Sequence, residues 1–211
     1  VDLTDHRQSY EKYILADAEL PNNPFDLFRA WFDEAVDAKL PEPYAMSLAT
    51  CGADGRPSVR IVLMRELTDQ GVVFYTNYDS AKGQDLADNP NAEVLFFWQG
   101  LERQVRLGGQ MKKISSEKSA AYFAKRPRES QLGAWVSQPQ SGVVDSRQTM
   151  EDKFVELDQR FGESVPHPSF WGGYEMIVER AEFWQGRLGR MHDRMTYTKH
   201  GESWEIQRLL P

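Results

Sequence analysis

The chain has 211 residues, 40% hydrophobic and 27% charged, and its 25 basic and 32 acidic side chains leave a formal charge of −7. These values suit one folded domain that needs no staples, because a compact chain of this size removes roughly 70% of its unfolded surface from water. The acidic balance argues against nonspecific nucleic-acid binding, which draws on a basic surface, and the single Cys51 excludes an internal disulfide or a cysteine-based zinc site. That cysteine usage points to a reducing, cytoplasmic setting. No apolar run nears the ~20 residues of a bilayer span and no signal peptide is visible, so the expectation is a soluble intracellular chain.

Residues 2–20 are polar and read as a loosely held arm, helical in part, with Arg7 and Tyr10 three apart on one face. Asn23-Pro24 then opens an amphipathic helix in which Phe25, Phe28, Trp31, Phe32, Ala35 and Val36 follow the helical repeat, with Asn23 as cap. Strands follow at 45–51 and 57–65 around Ala53-Asp54-Gly55, and at 72–77. Ser80 caps a short helix ending near Asn89-Pro90, and 92–98 with 101–114 form a further hairpin through Gln99-Gly100. Short turns and one inserted helix suit an antiparallel sheet closed into a barrel. Ser116 starts a helix that Pro127 stops. The segment from Arg126 and the loop through Gly142 carry no assigned element. A helix follows at 150–161, then a loop at 166–173 and strands at 174–179, 181–185, 190–198 and 203–209.

The stretch from Glu182 to Arg194 holds three arginines and a histidine. Strand alternation predicts that Arg190, His192 and Arg194 project from one side of the return strand, with Met191, Asp193 and Met195 opposite. Such a cationic face asks for an anion, and repulsion from Arg194 favours a neutral imidazole. The four histidines have no metal-ligand spacing, so no metal is expected. A P-loop and a GxSxG elbow are absent, and Cys51 reads as a buried small hydrophobe. Arg60, Arg65, Lys82 and Arg126 lie beside hydroxyls and amides. Guanidinium forks and helix N-termini suit phosphate, although each such charge taken alone is more often a solvated surface group. Arg60 and Arg65 are an odd number apart, which puts them on opposite faces of an ideal strand. A bulge, or a site between two subunits, removes that conflict.

RIVLMR at Arg60, FYTN at Phe74, LERQVRL at Leu101, RPRESQLGAWVS at Arg126, SFWGG at Ser169 and FWQG…RMHDR from Phe183 together resemble the pyridoxine (pyridoxamine) 5′-phosphate oxidase family. The likeness runs from about Arg7 to Pro211. It implies a mainly β fold with flanking helices, an FMN-binding split β-barrel, as a single domain over 1–211. Residues 1–22 would be a mobile arm, and 168–211 would carry dimerisation and active-site strands. The implied partners are a second copy of the chain, with FMN at the interface, and dioxygen. The implied substrates are pyridoxine and pyridoxamine 5′-phosphates, oxidised to the aldehyde with release of hydrogen peroxide. The FMN set would be Arg60, Ile61, Val62, Leu63, Met64, Arg65, Tyr75, Thr76, Lys82, Gln104, Gln140, Ser141, Trp184 and Arg194. The substrate set would be Arg7, Tyr10, Arg65, Tyr122, Arg126 and Ser130, with Arg190 and His192 as catalytic residues over the pyridine ring. Three departures stand out. Arg65 replaces the usual lysine, Ala81 stands where an arginine usually precedes Lys82, and the loop Ser137–Ser141 is one residue longer. Rival readings are a split-barrel FMN protein with another substrate, which would need neither RPRES nor the Arg190/His192 pair, and a binder that stores FMN or pyridoxal phosphate without turnover.

Overall fold

The computed structural model describes residues 1–5, 9–17 and 20–211. Asn23 caps α1 (Pro24–Asp37) by accepting from the Phe25 amide. Its apolar stripe packs Phe28 and Trp31 against Phe96 and Phe183. Burying each such side chain is worth roughly 1.5–3 kcal/mol. Val36, placed in that stripe by spacing, lies at its edge and is exposed.

The strands are β1 (Ala45–Cys51), β2 (Pro57–Leu63), β3 (Glu66–Leu67), β4 (Val72–Asn77), β5 (Asn91–Trp98), β6 (Arg103–Lys113), β7 (Trp171–Gln185), β8 (Asp193–His200) and β9 (Ser203–Arg208). Their order is β2-β1-β5-β6-β7-β4-β3, all antiparallel, with β8 and β9 added beside β7. The predicted strand 57–65 is therefore broken: β2 and β3 lie at opposite ends of this order. Met64 and Arg65 carry the chain between them, their amides bonding to Tyr44 O and Val73 O. The sheet thereby rolls into a barrel filled by Met46, Leu48, Phe74, Val94, Phe96, Val105, Leu107, Met176 and Phe183.

Sequence spacing divides 174–185 into two strands, but β7 is a single strand of 15 residues. Its first part pairs with β4, its last part with β8, and β6 runs along the whole length. A register shift at Gly108/Gly109 absorbs the curvature.

The helices are α2 (Ala81–Asp88), α3 (Ser116–Lys125), α4 (Arg128–Val136) and α5 (Arg147–Phe161). Helix α4 has no counterpart in the sequence reading, since Pro127 reads as a stop. Here that proline occupies the cap position of the next helix. Helices α3 to α5 build a second core of Phe123, Leu132, Ala134, Leu157 and Trp171. The described arm residues 9–16 form no helix or strand, and no helix among the described residues is long and apolar enough to cross a membrane.

Candidate active site

Two groups of the expected residues form, at opposite ends of β7. The first lines a cavity of about 370 Å³ that includes Arg60, Arg65, Tyr75, Thr76, Lys82, Tyr122, Arg126 and Gln140. The break after Leu63 resolves the parity conflict, because it lets Arg60 and Arg65 share one wall. Ser80 caps α2 through the Gly83 amide, which places Lys82 in the first turn. Lys82 Nζ lies 3.3 Å from Thr76 Oγ1, 3.2 Å from Ser80 Oγ and 3.3 Å from Gln140 Oε1. Ser141 Oγ accepts from the Ala81 amide at 3.3 Å, so the loop after α4 closes over the start of α2.

Four cations converge here, with the Asp85 carboxylate beside Arg60. Arg60 donates to Thr50 Oγ1 at 2.6 Å and stands 3.6 Å from Asp85. Burial lowers the Lys82 pKa, and Arg60 lowers it further. Burial also lowers that of Arg126, helped by Arg65 and opposed by Tyr122. Arg126 lies 4.6 Å over the Trp171 ring. Tyr75 and Tyr122 stack at 3.9 Å, with Trp171 parallel to both. Arg126 Nη1 is buried without a hydrogen-bond partner among the described residues. An orphaned guanidinium N–H is costly unless an acceptor arrives, and a phosphate oxygen is the acceptor this donor set fits. Ile61, Val62 and Leu63 line the same cavity, whereas the Met64 side chain is turned into the barrel core. Ser130 sits in the first turn of α4, outside the cavity wall.

The second group forms where β6, β7 and β8 run side by side. Gln104 pairs with Trp184 and Trp184 with Arg194, giving one cross-strand row on one face. Glu182, two residues before Trp184, accepts from Arg194 Nε at 2.9 Å and from Arg106 Nη1 at 3.3 Å. The return strand begins only at Asp193. A short turn at Leu188–Arg190 precedes it, with Gly189 at φ 63 and Arg190 at φ 62. Alternation therefore fails for Arg190, which projects exposed from a left-handed backbone that costs a non-glycine residue about 1 kcal/mol or more.

His192 packs 4.7 Å from Trp184, and the Tyr10 ring lies 5.9 Å from His192 and 5.7 Å from Trp184. The Arg187 amide donates to His192 Nδ1 at 3.1 Å, so in the neutral ring the proton sits on Nε2. Burial lowers the His192 pKa first and Arg190 second, against Asp193. The expected direction stands with a different cause: Arg194 is neutralised by Glu182 and does not set it. Arg7 lies outside the described residues.

Sequence reasoning did not single out Asn77 and Trp171 on the cavity wall, Asp85 beside Arg60, Glu182 beneath Arg194, or Glu102. Glu182 carried a signal, since it shares the strand face of Trp184 two residues on. Asp85 and Glu102 carried none, because their partners come from distant segments.

Residues 32–161 match the family described as pyridoxamine 5′-phosphate oxidase. Residues 171–211 match the pyridoxine 5′-phosphate oxidase C-terminal dimerisation region. The pyridoxine/pyridoxamine 5′-phosphate oxidase of Psychrobacter arcticus is 60% identical over 214 residues, covering 100% of this chain and 99% of its own. That of Acinetobacter baylyi is 50% identical over 212 residues, covering 100% and 97%. Among solved structures, PhzG from Burkholderia lata, in complex with tetrahydrophenazine-1-carboxylic acid, superposes with a TM-score of 0.90. It is 27% identical and covers 96% of this chain and 100% of its own. A pyridoxamine 5′-phosphate oxidase-related, FMN-binding protein from Nostoc punctiforme shares the fold, with a TM-score of 0.69, 19% identity, and 87% and 97% coverage. The split barrel, the ordered motifs and full-length identity of this degree place the chain in the pyridoxine/pyridoxamine 5′-phosphate oxidase family.

Proposed function

We propose that the chain oxidises pyridoxine and pyridoxamine 5′-phosphates to pyridoxal 5′-phosphate with FMN, as a cytoplasmic homodimer whose two sites each draw on both copies. The observation that carries this reading is the cationic cavity with its orphaned Arg126 Nη1. Arg60 and Lys82, with Thr76, Gln140 and Ser141, would hold the FMN phosphate. Arg65, Tyr122, Arg126 and Ser130 would hold that of the substrate. Gln104, Trp184, Arg194, Arg190 and His192 would reach the same cavity from the second copy. Tyr75 faces Gly173 and Gln104 faces Trp184, so eleven residue-to-residue steps of β7 separate the two groups, roughly 35 Å of extended strand. The C-terminal match to a dimerisation region supports the same arrangement.

Bound FMN would supply two-electron oxidation at the 4′ carbon, with dioxygen as final acceptor and hydrogen peroxide as product. The protein's part is placement. Phosphate held by Arg126 and Arg65 fixes the far end of the substrate, so remote binding energy orients the reacting carbon. His192, neutral and protonated on Nε2, presents a donor to the pyridine, and Arg190 adds positive charge beside it. The test is incubation of the purified protein with pyridoxine 5′-phosphate, added FMN and air, following aldehyde and peroxide together. Equimolar aldehyde and peroxide is the expected result. Peroxide alone assigns another flavin substrate, and neither product leaves a binding protein.

A further inference from the structure

Glu102 ties three separate segments of the fold together near His192. It closes the turn between β5 and β6 in a left-handed conformation, φ 57, and is only 5% exposed. Its carboxylate Oε2 accepts from the amides of Glu11 at 2.9 Å and Lys12 at 3.1 Å. Its carbonyl accepts from the Gly186 amide at 2.8 Å and from Gln185 Nε2 at 3.1 Å. Gly186 lies directly beneath Tyr10, where an added Cβ would come within 2.8 Å of Tyr10 Cβ. A second carboxylate repeats the device: Asp193 Oδ2 accepts from the Leu15 amide at 3.2 Å. Lys12 Nζ adds a bond to Gly100 O at 2.6 Å, and Arg187 one to Tyr13 O at 3.3 Å.

A buried carboxylate is costly, and among the described residues Glu102 takes part in no ion pair. It is satisfied instead by two backbone N–H groups of a segment about 90 positions away. We infer that Glu102 is a positioning residue whose carboxylate seats the arm at Glu11–Lys12 and so holds Tyr10 against Trp184 and His192 before substrate binds. This rests on the reading of His192 as part of the substrate site. Its consequence is that the ordering entropy of the arm is met on folding and not charged to each binding event. Loss of the seat therefore falls on KM for the phosphorylated substrate more than on kcat.

The experiment is tryptic cleavage after Lys12 in the FMN-supplemented full chain, read by mass spectrometry beside steady-state kinetics. Glu102→Ala removes both bonds to a charged acceptor, so cleavage accelerates roughly ten-fold or more. Glu102→Gln keeps one oxygen where Oε2 stood and stays near the wild-type rate. Glu11→Pro deletes one donor from the arm side without touching the buried carboxylate. It accelerates cleavage in the same direction and decides the matter if Glu102→Ala does not fold. In kinetics, Tyr10→Ala raises KM, and adding Glu102→Ala to it raises KM little further, because both changes act through one contact. Wild-type protection in Glu11→Pro overturns the proposal, and so does a Glu102→Gln chain as labile as Glu102→Ala. Cleavage needs no turnover, so an arm that is protected in a chain that oxidises nothing rejects the function and leaves the seat standing.

Discussion

Arg126 and His192 are the two side chains whose surroundings say most about what they do. Arg126 is held by the Trp171 face and left with one buried N–H unpaired, so its energy improves only when an anion enters. Arg126→Ala is expected to raise KM for pyridoxine 5′-phosphate by about ten- to a hundred-fold, the range for one charge-assisted bond. Flavin content, measured by absorbance, stays near wild type, and equal loss of both would merge the two phosphate sites. His192 has its pKa lowered by burial and by Arg190, so the ring remains neutral at pH 7. Activity that needs the neutral ring falls as pH drops through that lowered value. Arg190→Gln removes one of the two lowering causes, so the acid limb of the residual kcat/KM profile moves to higher pH. A limb that does not move would mean that Arg190 is not felt at the imidazole. The identities of both residues were legible in sequence. Their geometry was not, because Arg190 sits in a left-handed turn that strand alternation does not foresee.

At the level of elements, cross-strand charge does what a linear reading cannot show. Arg180, Glu93, Arg106, Glu182 and Arg194 form a chain of ion pairs across β5 to β8. Glu182 is 8% exposed and accepts from Arg194 and Arg106. Glu182→Ala leaves the partly buried Arg194 without its carboxylate and Arg106 with Glu93 alone, and losing a hydrogen bond to a charged group costs about 1.5–3 kcal/mol. The expected readout is a lower urea midpoint together with weaker flavin retention; a stable chain with normal flavin would separate Glu182 from Arg194 function. The Gly108/Gly109 shift makes a sharper comparison. A Cβ at Gly109 would lie 2.0 Å from Ile177 O, whereas one at Gly108 meets only the Arg180 side chain at 3.6 Å. Gly109→Ala should therefore cost roughly 1–3 kcal/mol or more in urea unfolding, and Gly108→Ala far less. Capped helices such as α1 and α2 were readable because Asn23 and Ser80 act locally. Helix α4 was not, since its place depends on a proline whose role as stop or start is decided by packing against α5.

For the whole molecule, the two groups at the ends of β7 make subunit mixing the decisive measurement. Arg126→Ala damages the cavity side, and Arg190→Ala damages the hairpin side. Under the proposed arrangement a mixed dimer has one site with both changes and one with neither. Random exchange of the two chains should thus restore about a quarter of wild-type activity. No recovery above either parent would mean that each site is built within one chain. Barrel closure and the shared site had a common trace in sequence, the odd spacing of Arg60 and Arg65. Periodicity alone could not choose between a bulge and a second copy. The break after Leu63 answers for the cavity wall, and β7 bears on the rest. That strand also works as a ruler, since its length sets how far apart the halves of two neighbouring sites stand. One inserted residue in β7 would turn every later side chain to the opposite face. Trp184 would then point into the barrel, and the hairpin that follows would slip relative to the cavity that the proposed arrangement has it serve in the other copy. Length in β7 should therefore resist insertion more strongly than the loop after α4, which closes over the start of α2.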